Sequence, residues 1–401
     1  MKDLKNDFEI LKTKVYGKPL VYLDSAASSL TPEPVVAAIA EAYRSYPANV
    51  HRGAHFLSDI GTTKYEQSRE TIKNFINAEG ADEIVFTSGT TDSINLVAHS
   101  FIDSHLCDGN EILLTEMEHH SNIVPWQIVA KKFNKTIRFV PVLDNGDLDL
   151  VAYQNMVNEN TCLVAFTMCS NTLGTVNPIT EMTKVAHEKG AKVLVDAAQA
   201  VSSCAIDVQY IDCDFLAFSG HKVFGPFGIG VLYGKSKWLN QMPPFKGGGS
   251  MIGEVTTVGS TYLDAPHRFE AGTPHIAGVF GLARAIQYVQ DVGLDEIRTH
   301  ERNLLKTLIA EMKQIDGIEF IGISESKNNI VSFLMQGTHP SDVGALLDRQ
   351  GVAVRTGHHC TQPLMNRFKI SGTIRASLSL YNDEHDLEIF IQALKKTKEF
   401  F

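Results

Sequence analysis

The sequence predicts an α/β protein: a mostly parallel, seven-stranded sheet with helices on both faces, followed by a smaller α+β unit. Three observations predict it. Short apolar runs without clean polar alternation recur through the first two-thirds of the chain, as strands buried on both faces require. Helical periodicity lies between most of them. Polar and glycine-rich segments follow several of these runs, and in such sheets ligands sit beyond the C-terminal strand ends.

The predicted strands, in order, are Glu83–Phe86, Glu111–Leu114, Ile137–Val142, Cys162–Met168, Lys192–Val195, Phe215–Phe218 and Gly230–Tyr233. Helical patterns cover Ser93–Ile102, Ile123–Phe133 and Glu181–Lys189. Residues 241–275 break the alternation, opening on Pro243-Pro244 and Gly247-Gly248-Gly249 with little periodicity. Long helices are predicted at about 276–291 and 295–315. Then come strands Gly317–Ile321, Asn329–Leu334, Val352–Arg355 and Thr373–Leu380, with helices Ser341–Gln350 and Asp383–Thr397. Ser341 reads as an N-cap and Gly351 as a residue just past a helix end. The expected division is a large domain over 16–275 and a small domain over 276–401. Residues 1–15 are expected to pack on the small one, because Leu4, Phe8, Ile10 and Leu11 need an apolar surface.

Composition limits the function classes. The chain has 401 residues, 44% of them hydrophobic and 20% charged, as in an ordinary globular enzyme of two to three domains. A net charge of −10 with no basic block argues against nucleic acid or an anionic membrane as partner. The mixed-charge start, Met1-Lys2-Asp3-Leu4-Lys5-Asn6-Asp7, lacks the apolar core of a signal peptide. The six cysteines (107, 162, 169, 204, 213 and 360) show no CxxC and no disulfide-like spacing. They fit a cytoplasmic protein whose cysteines are mostly small core residues.

One stretch carries the chemistry. Ser219-Gly220-His221-Lys222 follows the buried run Asp214–Phe218, and glycines follow at 225, 228 and 230. A lysine at the end of a buried strand is costly unless something uses its amine. An aldehyde cofactor uses it by forming a Schiff base. Upstream, the apolar strand Val193–Val195 ends in Asp196. Pyridoxal phosphate needs such a pair: a lysine for the aldehyde, and an acid to keep the pyridine nitrogen protonated. The alternative for Lys222 is a surface lysine in a glycine-rich loop. Ser88-Gly89-Thr90-Thr91 lies between a strand and a helix and suits a phosphate, or is an ordinary capped turn. Glu118-His119-His120 offers an imidazole that can stack on a ring or move protons. Zinc is the competing use of His119-His120 and His358-His359-Cys360, but no metal-binding spacing supports it, so no metal is expected. Cys360 sits in a polar loop, Arg355-Thr356-Gly357-His358-His359-Cys360, whose cations favour a thiolate nucleophile. A spectator thiol remains the other reading. Arg375, in a β-rich run, can grip a substrate carboxylate or be an edge-strand arginine.

With these residues in order, the chain resembles the class V group of fold-type I pyridoxal phosphate enzymes. Within it the chain resembles the group II (SufS/CsdA-like) cysteine desulfurases, relatives of selenocysteine lyases. The matching segments run from Tyr22-Leu23-Asp24-Ser25-Ala26-Ala27 through Asn49-Val50-His51-Arg52-Gly53, Met117–Asn122, Asp196-Ala197-Ala198-Gln199 and Ser219–Lys222. They end in Arg355–Cys360 and Arg375-Ala376-Ser377.

The resemblance implies roles. Lys222 would hold the cofactor and act as acid–base. Asp196 would face the pyridine nitrogen, Gln199 the phenolic oxygen and His119 the ring face. Thr90, Thr91, Ser219 and His221 would hold the phosphate, with Thr273 of a second subunit of a homodimer. Arg375 and Asn171 would bind the substrate carboxylate, and His51, Arg52 and Arg355 would line the entrance. Cys360 would take sulfur from L-cysteine, leaving L-alanine and a persulfide that supplies iron–sulfur clusters or other sulfur-containing cofactors. Group I members carry a Ser-rich segment at the cysteine and a longer loop; here 14 residues separate Cys360 from Arg375. A shorter loop moves less, so a SufE/CsdE-like acceptor protein is expected to stimulate the reaction. L-Selenocysteine as substrate, a different reaction of the aminotransferase or kynureninase kind, or a catalytically silent scaffold are the alternatives.

Overall fold

A computed structural model describes residues 4–104, 106 and 109–401. Cys107 and residues 1–3 of the predicted N-terminal segment lie outside them.

Seven strands build the large sheet: β1 (Ile84–Thr87), β2 (Glu111–Thr115), β3 (Thr136–Val140), β4 (Thr161–Thr167), β5 (Lys192–Asp196), β6 (Phe215–Ser219) and β7 (Gly230–Gly234). Their spatial order is β3-β2-β4-β5-β6-β7-β1. All neighbouring pairs are parallel except those made by β7, which runs antiparallel to both β6 and β1. Reversing direction twice leaves β1 aligned with β6. The C-terminal ends of β1, β2, β4, β5 and β6 therefore share one edge. Successive residues feed opposite faces: Leu113, Val164, Val193, Val195, Leu216 and Phe218 enter one apolar cluster, while Ile112, Leu114, Ala165, Leu194 and Ala217 enter another. Both faces are covered, which is why the sequence shows no alternation.

The covering helices are α1 (Glu33–Ser45), α2 (Phe56–Phe75), α3 (Thr90–Leu96), α4 (Val124–Phe133), α5 (Leu150–Met156) and α6 (Ile179–Glu188). α3 begins at Thr90, three residues earlier than its periodicity predicts, because Gly89 supplies a backbone (φ 149°) that other residues rarely adopt. The aperiodic 241–275 segment contains one exposed hairpin, Ile252–Val255 with Ser260–Tyr262.

Beyond it, α7 (Ile276–Val292) and α8 (Leu294–Met312) lead to a four-stranded antiparallel sheet of β8 (Ile318–Ile321), β9 (Ile330–Met335), β10 (Arg355–Gly357) and β11 (Thr373–Ser377), in the order β8-β9-β11-β10. Three helices, α9 (Pro340–Asp348), α10 (Gln362–Phe368) and α11 (Glu384–Lys398), complete this half. The α9 cap is His339, whose Nδ1 accepts from the Ser341 N–H, rather than Ser341 itself. Pro340 explains the shift, since proline fits the first helical position. The predicted strand at 352–355 is divided: Val352–Ala353 pairs in parallel with Val21–Tyr22, and β10 pairs with β11.

The N-terminal segment bridges the two halves. Phe8 is fully buried against Phe224, Tyr288 and Tyr381, and Lys5 pairs with Asp383 and Asp386. Ile10 stays 49% exposed, so not every apolar residue there finds a surface. Cys169, Cys204 and Cys213 are buried thiols, as small core residues. Cys162 takes part in a disulfide where the spacing predicted none, because sequence spacing does not report through-space distance. Among the described residues no helix is long and apolar enough to cross a membrane.

Candidate active site

The shared strand edge brings most of the predicted residues into one crevice. Lys222 ends a tight turn, Gly220–Lys222, that leaves β6. Its Nζ donates to the carbonyls of Ala26 and Ala27. Burial, then the charges of Arg375 and Arg355, lower its pKa to about 7. A neutral amine has two N–H groups and one lone pair. The two carbonyls take the former and leave the latter free. Asp196 closes β5, is 4% exposed and accepts from the Ala198 N–H through Oδ1 at 2.9 Å. Burial raises its pKa to about 6. Gln199 donates to the same Ala26 carbonyl at 2.7 Å, so the 24–27 segment ties the lysine and the glutamine together.

Around the β1–α3 turn the backbone is crowded. A Cβ on Gly230 would fall 2.4 Å from the Gly89 Cα, so two glycine backbones press together here. The Ser219 Oγ accepts from the Thr90 N–H at 2.8 Å and lies 2.7 Å from its hydroxyl. Thr91 pairs with Ser121, a residue given no role in the sequence reading. His221 stacks on Phe227, and its Nδ1 is buried without a hydrogen-bond partner. These donors form a cup that suits a phosphate. Thr273 is exposed and, among the described residues, makes no hydrogen bond to the cup; it lines a cavity with Tyr43, Tyr46 and Asn49.

His119 follows β2. Its Nδ1 accepts from the Ser121 N–H, which puts the ring proton of the neutral form on Nε2. Burial, then the charge of Lys222, lowers its pKa to about 4. Beneath it, Glu118 is fully buried and accepts from Thr115, Asn122 and the Thr167 N–H. Burial raises its pKa as well.

Arg375, on β11, is 1% exposed. It donates to the Asn171 carbonyl at 2.8 Å and to Asp24 at 3.0 Å, while its Nε has no partner. Arg355 lies directly opposite on β10. At Lys222 the charges of Arg375 and Arg355 are felt more strongly than those of Asp196 and Asp24, which suits an anionic substrate group. Asp24 stands 351 residues from Arg375, and no sequence signal pairs them. The Asn171 side chain donates to the His359 carbonyl at 2.8 Å.

That bond anchors the Cys360 loop. The Cys360 carbonyl also accepts from the His120 N–H at 2.8 Å, and its N–H donates to His358. His359 and Cys360 both hold positive φ (50° and 59°), an uncommon conformation that clusters at functional sites. Cys360 is half-exposed, unlike the three buried thiols. His51 and Arg52 lie apart from this loop. His51 pairs with Glu66, and both His51 and Arg52 line a cavity of about 230 Å³ beside Glu270 and Gly272. Among the described residues no cluster of three metal-type ligands occurs.

The model of the aminotransferase class-V family matches residues 21–390. A probable cysteine desulfurase of Halalkalibacterium halodurans is 46% identical over 399 residues, covering 100% of this chain and 98% of its own. A cysteine desulfurase of Dickeya dadantii is 46% identical, covering 98% and 95%. Among solved structures, the Thermococcus onnurineus cysteine desulfurase superposes with a TM-score of 0.94 at 38% identity, covering 100% and 98%. The Escherichia coli cysteine desulfurase CsdA gives 0.92 at 35%, with the same coverage.

Proposed function

We propose a chemistry for this crevice from one premise: the chain belongs to the aminotransferase class-V family, among its cysteine desulfurases. It removes sulfur from L-cysteine, releasing L-alanine and leaving the sulfur on the protein. Pyridoxal phosphate is the cofactor we assign, and the residues present fit it. The cup contains a buried, unpartnered His221 Nδ1, Asp196 is a buried acid with an oxygen to spare, and Lys222 offers a free lone pair.

When bound, the cofactor supplies an aldehyde that condenses with amines and a protonated ring that stabilises carbanionic charge. Thr90, Thr91, Ser219 and His221 would hold its phosphate, and Thr273 of a second subunit would complete the cup. Asp196 would keep the ring nitrogen protonated, Gln199 would hydrogen-bond the phenolic oxygen, and His119, with its proton on Nε2, would pack on the ring. Lys222, a neutral amine with a free lone pair near pH 7, would be the group that bonds the cofactor and would carry protons to and from the substrate. Arg375 binds the cysteine carboxylate, with Asp24 and Asn171 fixing the guanidinium. Cys360, as thiolate, attacks the substrate sulfur. A new S–S bond forms, the substrate C–S bond breaks, and its electron pair takes up a proton on the carbon that becomes the alanine methyl. No outside oxidant is needed, since cysteine plus a protein thiol equals alanine plus a protein persulfide. A SufE/CsdE-like protein then accepts the sulfur, and a cytoplasmic location suits a reaction that depends on a reduced thiol.

One observation carries this reading. The Cys360 loop is hydrogen-bonded to Asn171 and His120, whose neighbours Arg375 and His119 face Lys222. The test is alanine and persulfide production from L-cysteine. Cys360→Ala is expected to abolish both while the lysine-bound cofactor absorbance persists. Undiminished alanine release from that variant would overturn the assignment of Cys360.

A further inference from the structure

A second cleft lies away from the crevice, between α8 and the 324–327 segment that precedes β9. Its volume is about 650 Å³. Arg302, Lys306 and Lys313 line one wall, at helical spacing along one face of α8 and its C-terminal cap. Lys327 lines the other. Glu325 is the one acid among the lining residues, and none of the four cations has a carboxylate within 4 Å among the described residues.

This arrangement is unfavourable as it stands. Like charges at i,i+4, as in Arg302 and Lys306, repel along a helix. The Lys327 ammonium is largely withdrawn from water and donates to a single carbonyl, that of Gly322, at 2.6 Å. Its burial lowers its pKa to about 8. All this occurs in a protein whose net charge is −10, so the cleft is a local reversal of sign. Leu305 and Ile309 supply an apolar floor, and Thr299 adds a hydroxyl at the rim. The size falls within the range of small-molecule sites.

We propose that this cleft binds a phosphate-bearing organic anion, its charged oxygens among Arg302, Lys306, Lys313 and Lys327 and its apolar body on Leu305 and Ile309. The cations match the geometry of phosphate oxygens, arginine in bidentate fashion and lysine as a point charge. A bare inorganic anion would leave the apolar floor unused.

The probe is ATP without divalent metal, added to the cofactor-loaded enzyme so that the phosphate cup of the crevice is already filled. Calorimetric titration and thermal shift read binding. Wild type is expected to bind ATP and to bind inorganic pyrophosphate and adenosine each more weakly. The double variants Arg302→Glu/Lys306→Glu and Arg302→Ala/Lys306→Ala should bind ATP about tenfold more weakly or worse. Both should keep the cofactor absorbance and the desulfurase rate. On wild type alone, raising KCl from about 50 to about 300 mM should weaken binding several-fold. The proposal is overturned if ATP does not bind or if both variants bind it as wild type does. It is also overturned if pyrophosphate or adenosine matches ATP, or if the affinity ignores salt.

Discussion

Lys222→Met separates the electrostatics of the crevice from its chemistry when made in protein stripped of cofactor. In the folded chain the lysine pKa falls from 10.5 to about 7, chiefly by burial and then by Arg375 and Arg355. The unfolded chain keeps its proton up to about pH 10.5. Between the two values unfolding therefore takes up a proton, and stability rises with pH. The cost of enclosing an ammonium is full below about pH 7, shrinks through the window and vanishes above about pH 10.5. At ~1.36 kcal/mol per pH unit the full cost is about 5 kcal/mol, leaving about 4 at pH 7 and about 2 at pH 9. For 401 residues the unfolding entropy is about 0.8 kcal/mol/K. Methionine at 222 should thus raise the Tm by roughly 5 °C at pH 7 and by roughly 2 °C at pH 9. Methionine also loses the bonds to Ala26 and Ala27, but that offset does not vary with pH. The observable is the narrowing of the gap, read by differential scanning calorimetry of both apoproteins from about pH 6 to about pH 9.5. Parallel curves, or a gap that widens with pH, would refute a buried, neutral Lys222.

Three further outcomes are expected. Arg375→Met removes a guanidinium that carries the substrate carboxylate; at ~1.5–3 kcal/mol per charge-assisted hydrogen bond, kcat/KM should fall about 10²-fold or more, mostly through KM. Glu270→Ala removes the two-pronged partner of the buried Arg69 guanidinium (2.7 and 2.9 Å) and leaves it Glu66 and the Ile84 carbonyl, so it should cost ~1.5–3 kcal/mol in denaturant titration. His119, with its pKa lowered to about 4, is already neutral at pH 6; His119→Asn should therefore lower the rate without moving any limb of the pH–rate profile between about pH 6 and 8.

Much of the site is local, and that part is legible in a sequence. Asp196 ends a strand and Lys222 follows one by three residues, both after unmistakable apolar runs, and strand ends in a parallel sheet converge. Thr90 and Ser219 sit at two such ends and are found hydrogen-bonded to each other. Other contacts are set by tertiary packing alone. Asp24 reaches Arg375, and Arg69 reaches Glu270, across hundreds of residues with no shared periodicity. The Ala26 and Ala27 carbonyls that hold Lys222 are backbone groups, which no residue type announces. Helix ends failed where a competing residue took the cap: His339 ahead of Pro340 displaced Ser341. Gly89 moved the start of α3 for a related reason, since its permitted backbone angles have no signature in hydrophobic pattern.

The central claim is that Lys222 and Cys360 serve one reaction. The most direct measurement is peptide mass spectrometry of the cofactor-loaded enzyme after L-cysteine is added without reductant. One added sulfur, about 32 Da, should appear on the peptide holding Cys360 and be absent in Lys222→Ala. The same mass on Cys169, Cys204 or Cys213 instead, or on Cys360 regardless of Lys222, would contradict the account.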